Sequence, residues 1–282
     1  MMKCLYAFAI LLMSSRAFAQ ENTALSWSAT RVKIDGDAHD WSLPLHHYET
    51  NTKLFFDFKN DSNNLYLCFQ SNDEIIQVKI IRAGMKINLS NKINGKHKAS
   101  INFPLPAEES KPERTENAIA ADPSYSHQKL HTAFLAGDSL MIVKGFTNRE
   151  GAISTNDTSG IHAAINWDEN NMLTYEVSVP LKELCGNDFN AKDLSKGISL
   201  NVIIDALKMP AQSRSKREEN GSFGEGEGES RGGRMGGGGR SGGMGHGGGR
   251  MGGQGNSEMQ SDRSAMFQQS ELKEKLSLAM HS

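Results

Sequence analysis

The sequence predicts an all-β fold, an antiparallel β-sandwich of jelly-roll-like form with one or two short helices and a long disordered Gly-rich loop. Short alternations of apolar and polar residues, separated by clusters of turn residues, recur between residues 54 and 207. The clearest case is 54–58 and 65–69, on either side of a turn-rich stretch, which is typical of a hairpin with one buried face. Nineteen of the 28 glycines fall within 221–255, a segment that lacks the apolar surface needed to fold.

The remaining strands are predicted from the same alternation. They cover 85–89 and 98–103 as a second hairpin, then 139–146, 161–167, 172–179 and 197–207. In 172–179 one face carries Leu173, Tyr175, Val177 and Val179, and the other carries Thr174, Glu176 and Ser178. The pattern therefore predicts a strand with one apolar face and one polar face.

A short helix is predicted over 73–83 although this stretch is rich in isoleucine, which favours strands. Asp73 is a good N-cap, and Gly84 stands where a helix C-terminus favours glycine. A second helix is considered near 125–131, inside a polar and irregular stretch that runs from 108 to 131.

The C-terminal residues 273–280 are predicted as a strand that closes the sandwich. Leu276, Leu278 and Met280 alternate with more polar or smaller residues, although a helix face could also be drawn through Leu272, Leu276 and Ala279. By chain-entropy scaling, closing a loop of about 50 residues costs only about 2 kcal/mol more free energy than closing one of about 5 residues. Burial of two of these side chains offsets that cost.

The predicted organisation has three parts. Residues 1–19 resemble a signal peptide, with Lys3, an apolar run over 4–13 and a cleavage site after Ala19. One β-sandwich domain is assigned to 27–210 plus 272–281, and a disordered insertion to 213–262. We therefore expect a periplasmic or secreted protein that does not span the membrane, because no apolar run reaches about 20 residues.

Charge and cysteine content narrow the possible partners. The net charge of −2 gives no overall attraction to nucleic acid or to an anionic membrane, and no nucleic-acid partner is expected. After cleavage Cys68 and Cys185 remain. They could form a disulfide in an oxidising compartment, but two unpaired thiols are favoured because a domain of this size needs no covalent link. The sequence leaves the oligomeric state open.

Three short segments carry a family resemblance. They are Ile34-Asp35-Gly36 with Asp40-Trp41, then Asn64-Leu65-Tyr66 followed by Asn72-Asp73, then Tyr175-Glu176 in a strand ending at 179–184. In order and spacing, across 29–207, they resemble the family 9 carbohydrate-binding modules and the related DOMON-like sandwiches. The resemblance implies a jelly-roll-like sandwich whose members bind sugars or, in some DOMON branches, haem.

Each segment also has a structural interpretation. Gly36 permits a tight turn after a first strand, Trp41 is large enough to close one end of the core, and Pro180 ends a strand where no ladder donor is needed. These residues are therefore expected to build the scaffold and not to bind a ligand.

Carbohydrate binding needs an exposed aromatic ring beside planar polar groups, because a sugar presents apolar faces edged by hydroxyls. Four aromatic residues near strand ends or loops are candidates: Trp27, Tyr48, Tyr125 and Trp167. Aromatic residues make up only 7% of the chain, and packing in the core is the competing interpretation for each.

Metal and haem sites are alternatives. Asp35, Asp37 and Asp40 could bind calcium, but such residues are also common in turns. Met85 and His97 could be axial haem ligands, or a core methionine and a surface histidine. In the Gly-rich segment, Met235, Met244, His246 and Met251 could bind Cu(I), although a flexible spacer explains that composition without a ligand.

No catalytic constellation is found. The chain has no Gly-x-Ser-x-Gly motif, and no cofactor is predicted. The sequence therefore favours an exported, non-catalytic module that binds a glycan or a cell-envelope component. A haem- or metal-handling envelope protein is the alternative, and an assembly protein with a protein partner is a third possibility.

Overall fold

The computed structural model describes residues 22–91, 97–106, 134, 140–187, 189–190, 195–208 and 264–280. Within them two sheets pack face to face. One is a seven-stranded sheet, sheet A, made of β1 (Thr23–Ala24), β6 (Met85–Asn91), β7 (His97–Phe103), β8 (Leu140–Lys144), β9 (Gly151–Ser154), β12 (Ile198–Ile204) and β13 (Ser270–Ser277). The other is a six-stranded sheet, sheet B, made of β2 (Ser26–Trp27), β3 (His47–Glu49), β4 (Leu54–Asn60), β5 (Asn64–Ser71), β10 (His162–Trp167) and β11 (Leu173–Pro180). The predicted β-sandwich is confirmed.

Almost all strand pairs are antiparallel. Sheet A has the order β1-β13-β12-β6-β7-β8-β9, and sheet B has the order β10-β11-β5-β4-β2, with β3 also paired to β4. The two exceptions are short and lie at the start of the described chain, where β1 runs parallel to β13 and β2 runs parallel to β4. The buried Leu25 lies between them, so the chain crosses from one sheet to the other there.

The main core fills the space between the sheets. The apolar face predicted for β11 lies in it, and the Tyr175 hydroxyl donates to the Phe103 carbonyl at 2.9 Å, which joins the two sheets. The rings of these residues are 5.9 Å apart. The alternation of apolar and polar residues with a period of two is thus sufficient to predict which side chains of this strand face the core.

A second, smaller core covers the outer face of sheet B. It contains Val32, Ala38, Trp41, Leu45, Tyr66 and Cys68. The residues before β3 fold back over the sheet, with a short 3-10 helix at Ala38–Asp40, and β11 is therefore buried on both faces. Two sequence predictions are wrong here. The strand expected directly before the turn at Gly36 is absent, and Trp41 fills this outer layer and does not close the main core.

Helix α1 (Glu74–Ala83) connects the two sheets and confirms the predicted helix. The Asp73 carboxylate accepts the Ile76 N–H at 3.0 Å, and Gly84 ends the helix with a φ of 90°. Capping thus overrides the strand propensity of the isoleucines. A second helix in the described residues, α2 (Leu181–Cys185), follows β11 directly.

The C-terminal strand is present, three residues earlier than predicted. β13 pairs antiparallel with β12 from Ser270↔Ile204 to Leu276↔Ile198. Cys68 and Cys185 are both buried and do not form a disulfide with each other. The predicted signal peptide at 1–19, the helix considered at 125–131 and the Gly-rich insertion at 213–262 lie outside the described residues.

Candidate functional site

The first and third of the segments that carry the family resemblance meet at Glu176, and β5, which contains part of the second, lies beside it. Glu176 on β11 is the register partner of Cys68 on β5, and both point to the outer face of sheet B. One carboxylate oxygen accepts the indole N–H of Trp41 at 2.7 Å. The other accepts the backbone N–H groups of Gly36 at 2.8 Å and Asp35 at 3.1 Å. A single carboxylate therefore fastens the covering segment to the sheet.

The surroundings of Glu176 favour anchoring over chemistry. Its side chain is fully buried, and burial raises the pKa of the carboxyl although the three donors oppose that rise. Burial, with added repulsion from Glu176 and Asp57, also raises the pKa of the Cys68 thiol well above its usual value. A protonated thiol without solvent contact is a poor nucleophile, so we assign this cluster to the scaffold.

Gly36 gives a direct test of this junction. Its φ is +79°, and a Cβ there would lie 2.6 Å from Asn166 Cβ. We expect Gly36→Ala to lower the free energy of unfolding by about 3 kcal/mol or more, because left-handed strain adds to overpacking. Gly186 has a φ of +85° with no atom within 4 Å of its added Cβ, so Gly186→Ala should cost only about 1–2 kcal/mol. Urea unfolding of both variants measures the difference, and equal losses would contradict a close approach at Gly36.

The aromatic candidates occupy different environments. Trp27 is half-buried on β2 and pairs with Asn60. Trp167 is half-buried at the end of β10, where its indole N–H donates to Gln77 at 3.0 Å and its ring packs edge-on against Phe134. Tyr125 lies outside the described residues.

Tyr48 is the candidate that stands in solvent. Its side chain is 52% exposed, and it is the only aromatic among the large exposed apolar side chains of the described residues. Its ring lies 4.7 Å from that of Phe55 on β4, tilted by 43°. The ring is thus supported from below while one face remains open.

Polar side chains continue from Tyr48 across sheet B. The successive register partners are Tyr48, Phe55, Gln70, Thr174 and Asn166. The amide of Gln70 donates to the Thr174 hydroxyl at 3.0 Å. Direct partners share a face of the sheet, so two rings are followed by amide and hydroxyl groups in a single row.

An open depression of about 530 Å³ lies beside Tyr48. Its lining residues are Tyr48, Lys53, Asn72, Asp73, Glu74 and Ile75. The Lys53 ammonium contacts the Asp73 carboxylate at 2.5 Å, and the other oxygen of Asp73 caps α1. Two connections, before β4 and after β5, therefore place charged and amide groups at fixed positions around the ring.

The aromatic candidates do not form one platform. Tyr48 pairs with Phe55 and Trp27 with Asn60, so these two lie about 17 Å apart along β4. Trp167 lies near the same end of sheet B as Tyr48, but β4, β5 and β11 separate them. These three aromatic side chains therefore belong to three separate parts of sheet B.

The calcium candidates are engaged within their own turn. Asp35 accepts the Lys33 ammonium at 2.6 Å, Asp37 accepts the His39 N–H as the cap of the 3-10 helix, and Asp40 accepts the Lys33 N–H at 2.8 Å. These contacts agree with the turn interpretation. In the part of the chain that the structure describes, no group of three or more His, Cys, Asp or Glu side chains could hold a metal ion.

The haem candidates are far apart. Met85 pairs with Phe103 and His97 with Asn91, which places them at opposite ends of the β6–β7 hairpin, about 20 Å apart. They cannot ligate the same iron. The four Met and His residues considered for Cu(I) lie outside the described residues.

Sequence reasoning missed the polar side of the Tyr48 depression and the role of Glu176. Asp73 was recognised only as a helix cap. The turn at Lys53 was hard to recognise from the sequence. Lys53 adopts a φ of 50°, a backbone conformation that is unusual for lysine. Glu176 has the spacing of a solvent-facing strand residue, and only the covering segment makes it buried.

Comparison with protein-family models found no match, and a search of curated proteins also found none. No helix within the described ranges is long and apolar enough to cross a membrane.

Proposed function

We propose that the protein is an exported, non-catalytic binding module that takes a carbohydrate ligand in the depression beside Tyr48. The observation that carries the proposal is the exposed Tyr48 ring, supported by Phe55 and bordered by Lys53 and Asp73. An aromatic face suits the apolar side of a sugar ring, and the surrounding carboxylate, ammonium and amide groups suit its hydroxyls. Export is supported by the signal-like sequence of residues 1–19.

The depression favours binding over catalysis. Lys53 and Asp73 pair with each other, and one oxygen of Asp73 also caps α1. The second carboxylate that lines the depression, Glu74, follows Asp73 directly in the first turn of α1, whereas glycoside hydrolysis uses two carboxylates on either side of the glycosidic bond. A glycan would therefore be held and released unchanged.

Substitution of Tyr48 tests the proposal. The mature chain is first screened on a glycan array, and affinity for the best soluble oligosaccharide is then measured by isothermal titration calorimetry. We expect Tyr48→Ala to weaken binding by about tenfold or more, as loss of an aromatic anchor does. Tyr48→Phe should stay within about threefold, since the ring is retained.

Leu43 provides the matched control because its side chain is also exposed, at 56%. Leu43→Ala should leave affinity unchanged, and all three variants should melt near the wild-type temperature. Unchanged affinity in Tyr48→Ala, or no glycan bound by the wild type, contradicts the proposal.

A further inference from the structure

The outer face of sheet A is rich in lysine and in uncharged polar side chains, and Leu140, Ile142 and Ile203 also point outward there. The strand residues that point away from the core include Lys86, Lys98, Lys144, Lys273 and Lys275, with Glu271 as the one acidic residue among them. This face therefore carries a net charge of about +4, on a chain whose overall net charge is −2. Such separation of charge creates a local field for anions that the net charge does not reveal.

The lysines stand on both sides of a polar centre. One cross-strand row reads Lys275, Ser199, Ser90 and Lys98, and the next reads Lys273, Asn201, Asn88, Ser100 and Lys144. In the first row three strand steps separate the two lysines, roughly 14 Å. The rows thus present hydroxyl and amide groups between ammonium groups.

Most of this charge is not neutralised locally. Lys273 pairs with Glu271 at 2.7 Å. Lys98, Lys144 and Lys275 have no side-chain partner among the residues that the structure describes, and their side chains are exposed. They are available to an external anion.

Two amide oxygens on the same face lack a donor. Asn102 Oδ1 and Asn201 Oδ1 are buried atoms with no hydrogen-bond partner in the described structure. Asn201 also hydrogen-bonds to Glu271 through its side chain. Neither oxygen is open to solvent, so these two atoms are not available to a ligand, whereas the Ser199 side chain on the same face is exposed.

We propose that the outer face of sheet A binds an anionic polysaccharide, with the lysines contacting its carboxylates and the asparagine and serine side chains contacting its hydroxyls. Single-stranded nucleic acid would need exposed aromatic rings for stacking, and the outward-facing strand residues include none. The site is separate from the Tyr48 depression and does not depend on the function proposed there.

The test compares matched polymers against the mature chain by isothermal titration calorimetry. Polygalacturonate should bind, fully methyl-esterified polygalacturonate should not, and polyacrylate, which has carboxylates but no hydroxyls, should bind more weakly. Binding of polygalacturonate should decrease strongly at about 0.5 M salt, because exposed charges are screened.

Double lysine substitutions test whether polygalacturonate binds to the outer face of sheet A. The double variant Lys98→Gln/Lys275→Gln should lose about tenfold in affinity at low salt. The double variant Lys33→Gln/Lys182→Gln removes the same charge from exposed positions elsewhere and should bind like the wild type. Tyr48→Ala should leave polygalacturonate binding unchanged, which keeps this proposal distinguishable from the previous one.

Three outcomes overturn the proposal. They are no binding of polygalacturonate, equal losses in the two double variants, and tighter binding of duplex DNA or of phosphatidylglycerol vesicles than of polygalacturonate. Either of the last two ligands would reassign the face to another class of partner.

Discussion

Replacement of Glu176 by alanine is expected to lower the free energy of unfolding by about 3 kcal/mol. The substitution leaves the indole N–H of Trp41 and the backbone N–H groups of Gly36 and Asp35 without their acceptor. Buried donors that lose their partner cost more than the net value of the hydrogen bonds. The covering segment should also detach, which exposes Tyr66 and Cys68. Urea unfolding gives the loss, and labelling of Cys68 by a thiol reagent reports the exposure.

Two further variants test whether the loss of stability is specific to the Glu176 carboxylate. Glu169 is an exposed carboxylate in the turn before β11, so Glu169→Ala should change stability by less than about 0.5 kcal/mol. Glu176→Gln keeps the shape but presents an amide N–H₂ to at least one donor, and an intermediate loss is expected. A loss in Glu176→Ala no greater than that in Glu169→Ala would mean that the anchor contributes nothing.

The pH dependence of the Glu176 contribution has a definite sign. Because burial raises the pKa of this carboxyl, the native state binds the proton more tightly than the unfolded state, whose pKa is about 4.3. The free energy of unfolding therefore falls as pH rises from the unfolded value through the raised native value. Wild type should lose stability relative to Glu176→Gln over that window, and a constant difference between them would contradict the raised pKa.

Local sequence signals predicted the elements that depend on local interactions. The hairpin of β4 and β5 follows from alternation with period two, and α1 follows from the cap at Asp73 and from Gly84. Both signals act over a few residues, so they can be recognised without knowledge of the rest of the fold. Strand β9 was not predicted, because Gly151–Ser154 contains a single large apolar residue, Ile153, and shows no alternation of apolar and polar residues.

Features that depend on distant segments could not be predicted in the same way. The alternation along β11 gives Glu176 the position of a solvent-facing residue, and its burial arises from a segment more than 130 residues earlier in the chain. The strand expected before Gly36, a stretch that contains Val32 and Ile34, was wrong because burial there also depends on a distant part of the chain. Val32 is buried and Ile34 is partly buried because they cover a sheet, and not because they pair in one.

The Tyr48 depression was predicted only in part. A tyrosine near a strand end was a reasonable candidate, but no local pattern separates it from Trp167, whose half-buried ring packs against Phe134 and whose indole N–H donates to Gln77. The polar side of the depression comes from two connections on either side of the β4–β5 hairpin. These two connections lie close together because of the register in which β3, β4 and β5 pair, and that register cannot be predicted from local sequence patterns.

Removal of β13 is expected to have the largest effect. A chain that ends at Gln269 loses the buried Leu272 and Leu276, worth about 3–6 kcal/mol together. The buried Lys79 ammonium loses the Ser270 hydroxyl, and the Asn60 side chain loses both of its bonds to Ala279. The total is comparable with the whole stability of a domain, about 5–15 kcal/mol. We expect the truncated chain to melt at least about 15 °C lower than the full chain or to show no cooperative transition.

Deletion of 221–255 is the matched comparison, because it removes a longer stretch of chain and keeps β13. Shortening a loop changes its closure entropy only slowly with length, so the deletion should alter the free energy of unfolding by less than about 1 kcal/mol. The full-length double variant Leu272→Ala/Leu276→Ala separates side-chain burial from the strand ladder, and it should lose about 5 kcal/mol. Thermal melts in which the 221–255 deletion is the more damaging change would show that β13 does not close the sandwich. The C-terminal strand would then be a dispensable edge, and the core would have to be complete without Leu272 and Leu276.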